Sequence, residues 1–314
     1  AYIETIHSET YATALEKFAP NVHREHLFNA LQTIPTVKAK GEYFPELMVE
    51  RSLKFLDENK DTPFFLYVPF NIPHYPEQAL KRHEELHKDI TDPARRSYAA
   101  IVSTTDHYIG RIIDKLEALK LREDTIVIFM SDNGHSEETG NRIRVDNHKS
   151  GYPKGHFYGA SGGGSTGKWI GHKGQFLEGG IRVPAIISYP AKLPKGEVRD
   201  QIVTAMDWYP TILKLCGVEA KPVWPKLDGH NILPLIDSAA VKSSYKGVLH
   251  FAWGNQWAVR DGDWKLIGRK GKPGGTLHRL SDTKPEGTNH AKARLGIVSR
   301  LTAMHEAWVK DVTP

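Results

Sequence analysis

The chain contains 314 residues, 39% of them apolar and 25% charged, which is enough for one large folded domain and a small one. No apolar run approaches the roughly 20 residues of a membrane-spanning helix, and a single cysteine, Cys216, excludes an internal disulfide. The net charge of +5 suits an anionic ligand, but the basic residues are scattered, which argues against a nucleic acid partner.

The first predicted elements lead to a histidine. Residues 42–59, EYFPELMVERSLKFLDEN, have apolar side chains at helical spacing and predict an amphipathic helix. Residues 62–70, TPFFLYVPF, predict a buried strand, after which NIPHYP places His74 between prolines that fix the backbone. A histidine held at a strand end can transfer protons near neutral pH, although a structural histidine in such a loop is the commoner case.

Residues 83–87, HEELH, match a zinc-site pattern in which two histidines lie on one face of a helix with a glutamate as base. The surrounding ALKRHEELHKDI is charged almost all round, and no third ligand follows at the usual spacing. We therefore interpret this segment as a solvated helix and expect no zinc site at His83.

Pro93 opens the longest predicted helix, because proline is favoured in a first turn and apolar residues follow at steps of three and four. The helix leads into residues 125–134, TIVIFMSDNG, which predict a strand buried on both faces. Strand, helix and strand form a βαβ crossover, so His74 and Asp132 should meet at one edge of the sheet. Asp132 and Asn133 offer two hard oxygens to a cation such as Ca²⁺, although Asp-Asn-Gly by itself is more typical of a turn.

After Gly134 the chain is expected to be irregular for about forty residues, and a loop of that length beside a sheet edge is usually functional. Its segment 162–168 fits G-x-x-x-x-G-K, but Trp169 stands where a P-loop needs Ser or Thr, so no nucleotide cradle is expected. The loop ends in residues 171–184, GHKGQFLEGGIRVP, which carry Lys173 and lead into another strand, VPAIISYP.

The last third predicts a helix and then a small sheet. The helix covers residues 207–218, DWYPTILKLCGV, in which Cys216 should be a packing residue. From about Tyr245 short strands alternate with turns, and Asp261-Gly262-Asp263 indicates a hairpin. With LHRL and a final helix near residues 291–309, this predicts an antiparallel sheet packed by a helix. We place a domain boundary between residues 1–244 and residues 245–314.

Six stretches, in this order, resemble the formylglycine-dependent sulfatase family, the type I sulfatases of the alkaline phosphatase superfamily. They are FFLYVPFNIPHYP, YAAIVSTTDHYIGRI, IVIFMSDNG, KGQFLEGGIRVPAII, MDWYPTILKLCGV with DGHNILPLI, and AVRDGDWKLI. The resemblance implies an α/β fold with a mixed, mostly parallel sheet flanked by helices, plus a small C-terminal antiparallel sheet with a terminal helix. It also implies hydrolysis of a sulfate monoester by a periplasmic or secreted enzyme with no membrane partner. Positive charge and abundant histidine favour a sulfated carbohydrate as the substrate.

The resemblance also assigns roles to four residues. Asp132 and Asn133 match the family's calcium ligands. His74 matches the P-H-x-P histidine that contacts the sulfate and helps the leaving oxygen depart, and Lys173 matches the lysine ahead of E-G-G-x-R that also binds the sulfate. In such a site a cation and a lysine stabilise charge on the sulfuryl oxygens, and an acid protonates the departing alcohol.

One part of the family pattern is missing. The nucleophile of the family is a formylglycine made from the Cys or Ser of a C/S-x-P-x-R motif, and its calcium site needs a further acidic pair. Neither occurs in this sequence. We therefore expect these residues alone to be inactive, and a front part of a longer protein to supply both. Two other classes stay open: a phosphate or phosphonate ester hydrolase of the same superfamily, and a non-catalytic binding protein for sulfated glycans.

Overall fold

A computed structural model describes residues 43–145, 149–219, 227–245 and 247–313, so the start of the predicted catalytic domain lies outside the described residues. Residues 42–314 form one compact unit. Its α-helices are α1 (Phe44–Glu58), α2 (Lys81–Leu86), α3 (Pro93–Ala118), α4 (Glu178–Ile181), α5 (Trp208–Leu215), α6 (Leu233–Asp237) and α7 (Leu295–Val312). Its strands are β1 (Val127–Met130), β2 (Thr139–Val145), β3 (His156–Ser161), β4 (Ala185–Ser188), β5 (Val248–Trp253), β6 (Gln256–Asp261), β7 (Trp264–Arg269) and β8 (Thr276–Arg279). Within these ranges, every helix is too short or too polar to cross a membrane.

The two long helices form where the apolar periodicity predicts them and pack against each other. α3 begins after Asp92, whose carboxylate accepts the N–H groups of Ala94 and Arg95 at 2.8 and 3.3 Å. Buried side chains of both helices share one core with the chain on either side of His74, namely Tyr43, Val49, Ile72, Ala79, Leu80, Ala100, Ile101 and Tyr108. This core therefore holds the His74 loop at both of its ends.

The apolar segment 62–70 departs most from the prediction. It has no strand partner within the described residues, and its burial alternates, which leaves Phe65 and Tyr67 each 75% exposed. β1 instead pairs with β4 in antiparallel register, with Val127 opposite Ser188, and its Phe129 is exposed. The predicted crossover between two strands buried on both faces is thus wrong for the described residues. An apolar run becomes a strand only where a neighbouring segment of backbone supplies the hydrogen bonds of the sheet.

The segment expected to be irregular after Gly134 contains an antiparallel hairpin. β2 pairs with β3, with Ile143 opposite Tyr158. Both strands contain glycine and polar residues, so neither shows the apolar run by which the other strands were predicted. The hairpin therefore interrupts the segment that was expected to be irregular, and irregular structure resumes at Gly162.

The four C-terminal strands form one antiparallel sheet in the order β5-β6-β7-β8. Asp261 pairs with Trp264 across a two-residue turn in which Gly262 has a φ of +58°, a value that glycine adopts readily. α7 covers one face of the sheet, and its Leu301 is buried there with Val259 and Leu266. The predicted hairpin, small sheet and terminal helix are thus confirmed, whereas the boundary at residues 244 and 245 stays a prediction.

Cys216 does not have the predicted packing role. α5 ends at Leu215, and the free cysteine that follows is exposed. Asp207 is buried at the start of this helix, and its carboxylate accepts hydrogen bonds from the backbone N–H groups of Thr204 at 2.6 Å and His230 at 2.7 Å. A charged group therefore anchors the start of this helix, and the cysteine lies beyond its packed part.

Candidate active site

His74 and Lys173 are brought together although 99 positions separate them in the sequence. Lys173 Nζ lies 3.0 Å from His74 Nε2, and His74 Nδ1 lies 2.6 Å from the carbonyl oxygen of Tyr75. A carbonyl oxygen can only accept, so the proton of the ring lies on Nδ1 and leaves Nε2 as the acceptor of the lysine ammonium group. The Lys173 ammonium group thus lies at the Nε2 side of the imidazole, at an exposed position that an anion can reach.

Lys173 also contacts the loop that follows β1. Its backbone N–H donates to the carbonyl oxygen of His135 at 2.8 Å. The Asp132-Asn133-Gly134 turn is joined to the same region, because Gly134 N–H donates to the carbonyl oxygen of Gly180 at 2.9 Å. An ideal Cβ on Gly134 would lie 1.8 Å from the carbonyl oxygen of Gly179, so only glycine permits this approach. The three predicted site segments therefore meet without the predicted crossover.

Asp132 and Asn133 are placed differently from each other. Asp132 is exposed, and its carboxylate has no hydrogen bond or ion pair within the described residues. The Asn133 side-chain N–H group donates to the carbonyl oxygen of Gly134 at 2.8 Å, which leaves the amide oxygen as the acceptor. These two oxygens fit a hard cation, but the described ranges hold no group of three or more His, Cys, Asp or Glu side chains able to bind a metal ion. Two oxygens alone fall short of the roughly six to eight ligands that Ca²⁺ takes.

His172 and Glu137 lie beside Lys173, although no sequence pattern singled them out. His172 Nε2 lies 3.2 Å from Glu137 Oε2, and His172 Nδ1 lies 3.0 Å from the carbonyl oxygen of Lys173. With one ring nitrogen on a carboxylate and the other on its neighbour's backbone, His172 orients the peptide of Lys173. The adjacent His-Lys pair in GHKGQ was the only signal, because Glu137 is distant in sequence and lies in a loop.

The interpretation of the HEELH segment as a solvated helix is wrong for His83. This residue is 7% exposed, and its Nδ1 lies 2.8 Å from Thr104 Oγ1 on α3. His87 lies just past the end of α2, with Nε2 2.8 Å from Ser103 Oγ. Both histidines therefore hold α2 to α3, and the charged composition around them concealed this contact.

Comparison with known proteins identifies the family. The model of the sulfatase family matches residues 4–218, and the model described as N-sulphoglucosamine sulphohydrolase, C-terminal, matches residues 168–269. The chain therefore belongs to the sulfatase family, which confirms the resemblance to type I sulfatases.

Among its relatives, steryl-sulfatase of Mus musculus is 30% identical over 217 residues, which are 68% of this chain and 31% of that protein. Arylsulfatase J of Mus musculus is 30% identical over 253 residues, or 74% of this chain and 38% of the relative. The crystal structure of Ps i-CgsB in complex with k-i-k-neocarrahexaose superposes with a TM-score of 0.68 at 25% identity, covering 85% of this chain and 55% of that one. The chain thus spans about a third of the length of these curated relatives. The alkaline-phosphatase-like α/β fold with its small C-terminal sheet is confirmed.

Proposed function

We propose that the protein containing this chain hydrolyses a sulfate monoester, with Lys173 and His74 as the groups that contact the sulfate. The observation that carries the proposal is the 3.0 Å approach of Lys173 Nζ to His74 Nε2 at an exposed position. Two groups held this way present a cation and a ring nitrogen to the same anion. Membership of the sulfatase family supplies the reaction class.

The two groups would act at different atoms of the ester. The Lys173 ammonium group would bind the sulfuryl oxygens, where negative charge builds up in the transition state. The Tyr75 carbonyl keeps one proton on Nδ1, so His74 would act as an acid only after it takes up a second proton at Nε2. The sulfate would then replace Nε2 as the partner of the Lys173 ammonium group, and the imidazolium would give its Nε2 proton to the departing alcohol oxygen. The leaving group then departs as a neutral alcohol rather than as an alkoxide.

Asp132 and Asn133 would hold Ca²⁺ together with ligands from outside the described residues, because two oxygens fall well short of the roughly six to eight that Ca²⁺ takes. When bound, the ion would withdraw charge from the sulfuryl oxygens. The nucleophile, a formylglycine in this family by the resemblance, is likewise proposed to come from a segment outside this sequence, which has no C/S-x-P-x-R motif.

We further propose a sulfated carbohydrate as the substrate, encountered in the periplasm or outside the cell. The support is Trp253, at the end of β5, which is 66% exposed and lies beside Gly174, the neighbour of Lys173. An aromatic face carries negative potential and packs well against the polarised C–H groups of a sugar ring. The similar protein Ps i-CgsB, whose structure was solved with k-i-k-neocarrahexaose, agrees with a carbohydrate ligand.

The reaction is tested with the complete protein and p-nitrophenyl sulfate. Lys173→Ala and His74→Ala should each lower kcat by roughly a hundredfold or more, since charge stabilisation and proton donation are each worth that much. Lys168→Ala is the matched control, because Lys168 is an exposed lysine of the same loop whose Nζ lies 4.7 Å from the centroid of the Trp169 ring. Equal losses in all three variants, or faster turnover of p-nitrophenyl phosphate, would contradict the proposal.

The substrate class is tested separately with Trp253→Ala. If the indole supports a sugar ring, KM for a sulfated oligosaccharide should rise about tenfold, while KM for p-nitrophenyl sulfate should stay close to its original value. Phe65→Ala provides a control, since Phe65 is also highly exposed. A Trp253→Ala enzyme with both KM values unchanged would exclude this contact.

A further inference from the structure

Lys265 on β7 belongs to the C-terminal sheet, yet its ammonium group is buried against the loop that carries Lys173. Its side chain is 0% exposed. Nζ lies 2.6 Å from Glu178 Oε1, 2.7 Å from Glu286 Oε1 and 3.0 Å from the carbonyl oxygen of Phe176. An ammonium group has three N–H donors, so all three are used. A lysine is almost never fully buried unless it is paired in this way.

Glu178 is the main partner of Lys265 and the first residue of α4. Its side chain is 2% exposed, its backbone N–H donates to Glu286 Oε2 at 2.7 Å, and its Oε2 lies 3.6 Å from an Arg260 guanidinium nitrogen. Burial alone would raise the pKa of Glu178, but the Lys265 ammonium group and the nearby guanidinium groups lower it below its ordinary value. The carboxylate therefore stays ionised, and the cluster joins opposite charges from three separate parts of the chain.

The path from Glu178 back to Lys173 is only five residues long and is tightly folded. Gln175 N–H donates to the carbonyl oxygen of His172 at 3.1 Å. An ideal Cβ on Gly180 would lie 2.2 Å from the Gln175 carbonyl oxygen and 2.5 Å from that of His172. A turn packed this closely has no room to absorb a movement at Phe176 or Glu178. Such a movement would therefore be passed to Lys173.

We propose that Lys265 is a positioning residue of the site: it anchors the loop of residues 172–178 to the C-terminal sheet and so keeps Lys173 against His74. The two faces of β7 contact different elements, because successive side chains of a strand point to opposite faces. Leu266 packs against α7, whereas Lys265 contacts the loop. The small sheet thus forms part of the site. The consequence for catalysis rests on the proposed role of Lys173, while the anchoring itself does not.

The anchoring is tested on the 314-residue chain by hydrogen exchange of the peptide covering residues 170–182. Lys265→Met alone would leave two buried carboxylates without their ammonium partner, so it is combined with Glu286→Gln, which removes one negative charge as well. Exchange in this peptide should become at least tenfold faster. Glu286→Gln alone, which keeps a side-chain oxygen facing Lys265, is the milder second variant and should give a smaller increase.

Leu301→Ala is the control for general loss of stability, since Leu301 is buried against the same sheet on the face opposite to Lys265. It should speed exchange in β6 and β7 and leave residues 170–182 protected. Equal protection of this peptide in wild type and the double variant, or equal loss in the double variant and Leu301→Ala, would overturn the proposal. In the complete protein the double variant should lower kcat by about ten- to a hundredfold, because a displacement near 1 Å can cost that much. If the exchange effect is seen but the complete wild-type protein shows no sulfatase turnover, the proposed function is refuted and the anchoring stays supported.

Discussion

His83 offers the sharpest test of a structural role against a catalytic one. Thr104 Oγ1 donates to the carbonyl oxygen of Ala100 at 2.9 Å and accepts the N–H of Leu80 at 3.1 Å, so its contact with His83 Nδ1 must be a donation from the ring. Substituting His83→Ala removes this hydrogen bond, worth about 1 kcal/mol, and leaves a cavity that adds about 2 kcal/mol. We expect a loss of about 3 kcal/mol in the free energy of unfolding, measured in urea at pH 7.

The matched control is His87→Ala, which removes the other histidine of the HEELH pattern. His87 is half-buried and makes one hydrogen bond, to Ser103, so its loss should cost only about 0.5 to 1 kcal/mol. Neither substitution should lower the turnover of the complete protein. An inactive His83→Ala enzyme together with stoichiometric zinc in the wild type would refute this reasoning, as would equal destabilisation by the two substitutions.

The same residue predicts a dependence on pH. Burial, followed by the positive charges of Arg82 and His107, lowers the pKa of His83 to about 4, against 6.5 in the unfolded chain. As pH falls from 6.5 to 4, the unfolded chain takes up a proton that the folded chain excludes, so stability should fall by up to about 1.4 kcal/mol per pH unit. His83→Gln lacks this titration, so the gap between wild type and variant should narrow as pH falls. A gap that stays constant or widens would show that His83 is not held neutral.

Three further outcomes are expected. Asp132→Ala should lower the calcium content of the complete protein without unfolding it, because the exposed carboxylate has no partner within the described ranges; unchanged calcium by elemental analysis would contradict this. Gly134→Ala should cost about 2 to 3 kcal/mol in a thermal melt, since its Cβ would overlap the Gly179 backbone, whereas Gly110→Ala on α3, with nothing within 4 Å, should gain up to about 1 kcal/mol. The 314-residue chain alone should release no sulfate from p-nitrophenyl sulfate, because it lacks the nucleophile motif; measurable turnover would show that another group attacks sulfur.

The sequence by itself predicted the elements whose causes are local. α3 begins at Pro93 because the capping aspartate and the proline are adjacent, and its length follows from the apolar spacing. The hairpin around Gly262 follows from a two-residue turn that favours glycine at positive φ. His74 could be selected from its place between prolines at the end of a predicted strand, whereas the sulfate-binding roles of His74 and Lys173 came from the family pattern and not from local physics. β2 and β3 were not predicted, because neither has the apolar run by which the other strands were predicted.

Tertiary structure decided everything that depends on a distant partner. Residues 62–70 are apolar enough for a strand, yet Phe65 is exposed, because no strand within the described ranges bonds to this segment. His83 lies in a highly charged stretch but is buried, since Thr104 on another helix accepts its hydrogen bond. Lys265 is the clearest case, because the pattern of β7 does not reveal whether a lysine faces water or the interior. Its burial depends on two carboxylates and a carbonyl oxygen that only folding brings to one point.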